Sequence, residues 1–364
     1  MPAPDVIVVG GGLAGLTAGL ACADRGLNVA LIADARQGTA SAASAGVLGP
    51  SIGRGPKGGR VGRFMFAARD AYPPYLEHLC AGAGTRVHTV TGALEVALNE
   101  THFAELRARS AKLAGSRILD PREVASLEPA LVAVAGAVHH PGDGSVDVAG
   151  LLAALLGATA AHPNIVRVDA SAHTLIDAAS EAPVVVLTDG SRLSAPNVVL
   201  AAGAWIASID GLPRALPVRP VKGEIGVARG NVGLRHVVFG AGGYLVPRVG
   251  ELLIGATSDD AGFEAVTTES AAHELRATAR SLLHDPPDPA APFASQRAGL
   301  RPMTPDGYPI LGRDPDARAL LYACGYSRNG VLLSPLAATC IAALIVGEDP
   351  GYDLTAFSVS RFAG

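Results

Sequence analysis

The first chemistry in the chain lies in Gly10-Gly11-Gly12-Leu13-Ala14-Gly15, a GxGxxG pattern. Between a strand and a helix, its first glycine makes a tight turn and its second lets the backbone approach a pyrophosphate. The third lets the helix pack closely on the strand. Phosphates then sit on the helix N-terminus, where unpaired N–H groups and the helix dipole favour negative charge. The pattern marks a dinucleotide site without saying which dinucleotide. An acidic residue usually ends the second strand of such a unit and holds the ribose hydroxyls. Here that place falls on Ala33, with Asp34 next to it. Either the strand end shifts so that Asp34 holds the ribose, or backbone groups do so.

The flanking residues supply the required context. Val6–Val9 is a short apolar run and reads as a buried parallel strand. Residues 13–25 read as a helix with Gly26 as its stop, and Val29–Ile32 as a second buried strand. Together they form a βαβ unit. Residues 34–63, rich in Gly, Ser and Ala, form a long irregular segment of the kind that usually carries function. Helices are expected over 64–81, 100–114, Pro121–Leu127 (entered through Asp120) and 149–161. Strands are expected at Ile165–Val168, 174–177 and Val184–Leu187, with a hairpin signal at Asp189-Gly190. A further buried strand runs from Asn197 into Ala201-Ala202-Gly203. Residues 224–228, 237–239, 244–248 and Glu251–Gly255 predict an antiparallel sheet in a second lobe. A strand at 320–323 and a helix at 332–346 end the chain. His139 and His140, before Pro141-Gly142, read as loop residues. The fold class is α/β with an α+β second lobe.

Composition narrows the function. At 364 residues the chain exceeds one ordinary core, and 49% hydrophobic against 17% charged residues excludes a disordered protein. With 29 basic and 33 acidic residues and no long block of like charge, a nucleic-acid partner is not expected. The local basic cluster Arg54, Lys57, Arg60 and Arg63 reads as a solvated loop, with a substrate-side loop as the alternative. Cys22, Cys80, Cys324 and Cys340 form no CxxC pair, so no metal site is expected. So few cysteines fit a reducing compartment. The N-terminus has no basic n-region, and glycines break the apolar run after it. The expectation is a cytoplasmic protein with no membrane partner.

The C-terminal third carries Gly299-Leu300-Arg301-Pro302-Met303-Thr304-Pro305-Asp306-Gly307, then Pro309-Ile310-Leu311-Gly312, then Gly325-Tyr326-Ser327-Arg328-Asn329-Gly330. With the loop from Ala40 to Leu48, Ala201-Ala202-Gly203-Ala204-Trp205, Pro220-Val221-Lys222-Gly223-Glu224, Tyr244-Leu245-Val246-Pro247-Arg248 and Gly255-Ala256-Thr257, the chain resembles the glycine oxidase branch of the D-amino acid oxidase superfamily. That group of flavoproteins includes sarcosine oxidase. The likeness covers nearly the whole chain. It implies a Rossmann-type FAD-binding domain over 1–80, 145–215 and 295–364, interleaved with an antiparallel-sheet substrate domain over 81–144 and 216–294.

By the same resemblance, Arg301 pairs with a substrate carboxylate, Tyr244 hydrogen-bonds it, and Arg328 lies at the pocket rim. The structural alternatives are an ion-pair role for Arg301 and a core hydroxyl on a backbone carbonyl for Tyr244. FAD would be held by Gly10, Gly12, Leu13, Ala14, Gly15, Asp34, Ala40, Ser41, Ala45, Gly46, Val47, Ala172 and Gly203. Tyr326, Ser327, Arg328, Asn329, Gly330, Val331 and Leu332 would face the flavin. The implied reaction is oxidation of a small amino acid or amine by hydride transfer to flavin, with dioxygen as the acceptor and hydrogen peroxide as product. A dehydrogenase passing electrons to a carrier and a non-catalytic FAD-binding module stay open, as does a homo-oligomer. Ser258, Tyr326, Ser327 and the segment 51–63 depart from the family's pattern, which leaves the substrate open. Cys324 falls outside the pattern that carries covalent flavin and reads as a buried, inert thiol.

Overall fold

A computed structural model describes residues 3–53, 58–111, 113–230, 232–288 and 291–362. The apolar runs Val6–Val9, Val29–Ile32, Asn197–Leu200 and Leu320–Cys324 become strands of one six-stranded sheet. Its order is Ile310–Arg313, Leu320–Cys324, Asn197–Leu200, Val6–Val9, Val29–Ile32, Ile165–Val168. All neighbours are parallel except the first pair. The runs are continuous rather than alternating because both faces are covered. Helices Leu13–Ala23, Val148–Ala161 and Gly330–Val346 cover one face, and a small antiparallel sheet of Ala172–Ile176, Val184–Leu187 and Arg192–Ser194 covers the other. The chain leaves Val6–Val9 toward one side of the sheet and later returns on the other. That reversal opens a crevice beyond the strands' carboxyl ends, the usual ligand position in such sheets.

The antiparallel hairpin at the sheet edge is tied at its turn by Asp314. Its carboxylate accepts from Arg214 (3.0 Å to each oxygen), from the Tyr322 hydroxyl at 2.8 Å, and from the Asp316 and Ala317 amides at 2.8 and 3.0 Å. Burial alone would raise its pKa, but these donors outweigh burial and hold it below the usual range. A depressed folded pKa stabilises the fold above the unfolded value of about 3.9, and that contribution fades as pH falls through the folded pKa. Asp314→Asn should therefore melt several degrees below wild type at pH 7. The gap should narrow in melts taken below about pH 4, and a gap independent of pH would remove the ionised carboxylate from the account.

The second, larger sheet runs Ser295–Met303, Arg219–Arg229, Glu251–Gly255, Gly243–Arg248, Val237–Gly240, Thr89–Ala97, Gly136–Val146, Val47–Leu48, with Arg117–Leu119 also paired to Gly136–Val146. It is antiparallel except where Val237–Gly240 meets Thr89–Ala97. One face packs under helix Glu269–Leu282 through Leu275, Ala279 and Leu282. Glu95, Phe239, Tyr244 and Gly255 stand directly opposite one another across four strands, so their positions share the other face, the one toward the crevice.

Four expectations change. The irregular segment 34–63 contains the strand Val47–Leu48 and the start of helix Gly59–Asp70. The single helix over 64–81 is two, Gly59–Asp70 and Tyr72–Ala83, because Pro73 and Pro74 sit in a first turn, where no intrahelical N–H bond is lost. Of the basic cluster, Arg54 and Lys57 lie outside the described residues, whereas Arg60 and Arg63 are on the first of these helices and Arg60 pairs with Asp353. His139 and His140 are strand residues, and His140 is buried. The Pro141-Gly142 break is tolerated because it faces a register shift around Gly92, where the ladder bond is already missing. Among the described residues no helix is long and apolar enough to cross a membrane.

Candidate active site

The glycine turn closes on the sheet as its spacing requires. Gly10 has φ +128°, and a Cβ there would lie 2.3 Å from the Ala201 carbonyl oxygen on the neighbouring strand's end. A Cβ on Gly15 would lie 1.8 Å from the Gly10 carbonyl oxygen, so the helix can sit this close only with glycine there. Helix Leu13–Ala23 has no capping side chain on its Gly12 N-cap and no acidic residue in its first turn. The Leu13 amide donates to Ser41 Oγ at 3.0 Å. The N-terminal dipole is thus left without a protein counter-charge.

A cleft of about 740 Å³ runs from this turn to the large sheet. That size suits a cofactor or small-ligand site. At one end it is lined by Gly10, Gly12, Leu13, Ala14, Asp34, Ala172 and Gly203. Its middle is lined by Ala40, Ser41, Ala45, Gly46 and Val47, facing Tyr326, Ser327, Arg328, Asn329, Gly330 and Val331. Gly15 and Leu332 are not on its surface; Gly15 acts through packing and Leu332 is buried in the core of the sheet's helical face. Ala33 is also buried, and its amide continues the strand pairing to Val168. Between Ala33 and Asp34, Asp34 is therefore the one that reaches the cleft, where its carboxylate accepts from Arg36 at 3.0 Å and from Ser171. The long helix Gly330–Val346 also starts at the cleft without a side-chain cap, presenting a second set of free amides. Ser327 enters it at φ +54°, fixed by its amide donating to the Pro302 carbonyl at 3.0 Å.

At the sheet end, two strand glycines make seats for polar side chains. The Arg301 guanidinium lies over Gly223, where a Cβ would meet its Cζ at 2.2 Å. It donates to the Thr257 carbonyl at 3.0 Å and pairs with no carboxylate among the described residues. Burial lowers its pKa, and the like charge of Arg328 adds to this while Tyr244 opposes it. The Tyr244 ring lies over Gly255, where a Cβ would meet its hydroxyl oxygen at 2.4 Å. Burial raises its pKa against the pull of Arg301 and Arg328, so the phenol stays protonated and can donate. Arg328 is exposed at the rim, with Ser258 Oγ 3.5 Å from its Nη2 and no carboxylate partner among the described residues. Two guanidiniums and a phenol thus converge on unclaimed space, the geometry of a carboxylate slot. Cys324 lines the cleft, and burial pushes its thiol up to about 12, which leaves it unreactive.

Several lining residues were not singled out from the sequence. Trp205 lines the cleft and carries the Arg36 guanidinium 4.9 Å from its ring centre. Phe239 and Ile52 line the sheet end beside Tyr244. Glu95 is a buried carboxylate in the otherwise apolar run Leu94-Glu95-Val96, and that lone charge was the available signal.

A cleft with a glycine turn and an uncapped helix start at one end, and at the other a guanidinium with no carboxylate partner among the described residues, has the form of a dinucleotide-binding oxidoreductase site. Residues 5–344 match the family described as DAO, FAD dependent oxidoreductase. The chain is 33% identical to the glycine oxidase of Geobacillus kaustophilus, covering 99% of this chain and 97% of that one. It is 31% identical to that of Pseudomonas putida, covering 96% of each. The crystal structure of the Geobacillus kaustophilus glycine oxidase superposes with a TM-score of 0.90 over the whole of both chains. Iminodiacetate oxidase from Chelativorans sp. BNC1 superposes at 0.85 with 25% identity, covering 97% of this chain and 98% of that one. The chain belongs to the DAO family of FAD-dependent oxidoreductases, in its glycine oxidase branch.

Proposed function

We propose that this chain binds FAD in the cleft and oxidises a small amino acid or N-substituted glycine, with dioxygen as the final electron acceptor. The observation that carries the reading is Arg301 on its Gly223 seat, bonded only to backbone carbonyls and with no carboxylate partner among the described residues, in the same cleft as a glycine turn at a helix start with no side-chain cap and no acidic residue. The residues fit the cofactor. Helix Leu13–Ala23 would hold the pyrophosphate, Asp34 the ribose, and the free amides of Gly330–Val346 the flavin ring's carbonyl edge. When bound, the flavin supplies the hydride-accepting centre. Arg301 holds the substrate carboxylate by two parallel N–H bonds, and the protonated Tyr244 adds a third. Fixing the carboxylate turns the carbon bearing the amine toward the cofactor, which is the protein's main contribution to rate.

The visible spectrum tests this directly. Purified protein should be yellow and should bleach anaerobically with glycine, sarcosine or D-alanine, and should form one peroxide per turnover in air. A colourless protein unable to take up FAD sinks the proposal, and dye reduction without peroxide replaces the oxidase by a dehydrogenase. One observation favours a second reading of the substrate. Arg328 is exposed at the rim and has no carboxylate partner among the described residues, so a substrate with a second acidic group could reach it, as iminodiacetate would. Bleaching by iminodiacetate at lower concentration than by sarcosine would select that reading.

A further inference from the structure

The cleft wall from Gly49 to Gly53 is gripped more firmly than a surface loop requires. Two buried carboxylates of the large sheet hold it. Asp143 accepts from the Ser51 amide at 2.9 Å and its hydroxyl at 3.1 Å. Glu95 accepts from the Gly53 amide at 2.9 Å. Each carboxylate is itself locked. Arg69 donates to Asp143 at 2.9 Å, and Arg109 donates to Glu95 at 2.6 Å. His140 Nε2 lies 3.2 Å from Glu95, and its Nδ1 lies 2.8 Å from Ser116 Oγ. Glu95 and Asp143 are 6% and 1% exposed, so leaving either without partners would be costly.

Ile52 sits between the two grips. Its side chain, like those of Phe239, Tyr244 and Ala256, packs against the buried cluster of Ala45, Ala93, Ile225 and Val246, and all four line the cleft. Gly49 makes the room: a Cβ there would lie 2.6 Å from Ile52 Cδ1. A β-branched side chain is stiff at χ1, so a fixed backbone on both sides makes it a fixed wall. The wall and the Tyr244 ring rest on the same buried cluster and line the same cleft, so a substrate whose carboxylate is held at Tyr244 and Arg301 extends its remaining groups into the space Ile52 bounds.

We propose that Ile52 sets the size limit on the substituent the substrate carries at its α-carbon or nitrogen, and that Glu95 is the positioning residue that holds this wall. The inference rests on the carboxylate slot of the proposed function. One methylene in an apolar pocket changes preference by about tenfold or more. In anaerobic stopped-flow on the holoprotein, Ile52→Ala should raise the reduction efficiency for N-ethylglycine and D-valine relative to glycine about tenfold or more. Ile52→Phe should lower it for sarcosine relative to glycine. Glu95→Gln should shift the same ratios in the direction of Ile52→Ala, chiefly through substrate affinity rather than the limiting rate, and Glu95→Asp should restore part of the selectivity. Ratios unchanged in both Ile52 variants, with flavin content intact, overturn the wall. A Glu95→Gln protein that melts earlier with unchanged ratios overturns the positioning role. Perturbation of the flavin spectrum by acetate, propionate and isobutyrate reads the same size limit without turnover. If no amine bleaches the flavin but the carboxylates still rank by size and Ile52→Ala relaxes the ranking, the oxidase reading fails and the wall stands.

Discussion

Replacing Arg301 by leucine is expected to slow amine-driven bleaching by about three hundredfold while the protein stays yellow. Truncating one partner of a buried, hydrogen-bonded charge pair costs about 2–5 kcal/mol. At about 1.4 kcal/mol for each factor of ten, the middle of that range gives this loss. The deficit should fall on both substrate affinity and limiting rate, because the same anchor that binds the carboxylate also sets the angle of the reacting carbon. Arg301→Lys should recover only part of it, since an ammonium cannot make two parallel bonds to one carboxylate. Gly223→Ala supplies an independent route to the same defect. The new methyl would stand 2.2 Å from the guanidinium carbon, so Arg301 must leave its seat although its charge is intact. The guanidinium's hydrogen bonds go to backbone carbonyls of Lys222 and Thr257, away from the glycine turn, so FAD content should hold in all three variants. Anaerobic stopped-flow with glycine and sarcosine, alongside the flavin-to-protein ratio, makes the measurement. Bleaching of Arg301→Leu at the wild-type rate would place the carboxylate slot elsewhere in the cleft.

The nucleotide half was legible because its signals are local. Val6–Val9 and Val29–Ile32 are short apolar runs and Ile165–Val168 a β-branched run around Arg167; each begins just after Asp5, Asn28 or Asn164, and each became the strand expected. Pro121–Leu127 was legible for the same reason: Asp120 caps it and Glu123 completes a capping box. The sheet lobe was only half legible. Val237–Gly240 and Glu251–Gly255 alternate or run apolar over a core. Thr89–Ala97 and Gly136–Val146 meet at a register shift around Gly92 and Pro141-Gly142, and the Pro141-Gly142 pair reads as a loop until that shift is seen. Ser295–Met303 faces the cleft rather than a core, so it keeps Arg297 and Arg301 where a strand pattern expects apolar residues. Arg301 and Tyr244 themselves came from likeness to a family. Nothing in their spacing shows that Gly223 and Gly255 are their seats, because a cross-strand glycine has meaning only once the register is known. Glu95 illustrates the same limit: its partners Arg109, His140 and Gly53 lie 14, 45 and 42 residues away.

Gly15→Ala should give a protein that is colourless or nearly so. The added methyl must occupy a point 1.8 Å from the Gly10 carbonyl oxygen, and both atoms belong to backbone that is hydrogen-bonded on either side. Neither can rotate away, so helix Leu13–Ala23 must retreat from the strand end. Overpacking of this kind costs typically 1–3 kcal/mol. The functional cost is larger, because retreat of the helix withdraws the amides of its first turn from the phosphate position. Loss of at least nine-tenths of the bound flavin is expected, which for protein that starts about nine-tenths saturated means roughly an eightyfold weaker affinity, about 2.6 kcal/mol. The melting midpoint should also drop by several degrees, at roughly 2–4 °C per kcal/mol for a chain of this size class. Gly157→Ala is the matched control. Gly157 lies inside helix Val148–Ala161 with nothing within 4 Å of a Cβ, so alanine there should stabilise by roughly 0.5–1 kcal/mol and leave the flavin in place. Flavin content by absorbance after gel filtration, with melts of both variants in the presence and absence of added FAD, separates the two effects. If added FAD raises the midpoint of Gly15→Ala as much as that of wild type, the turn tolerates the methyl, and close helix–strand packing at Gly15 is not what admits the phosphates.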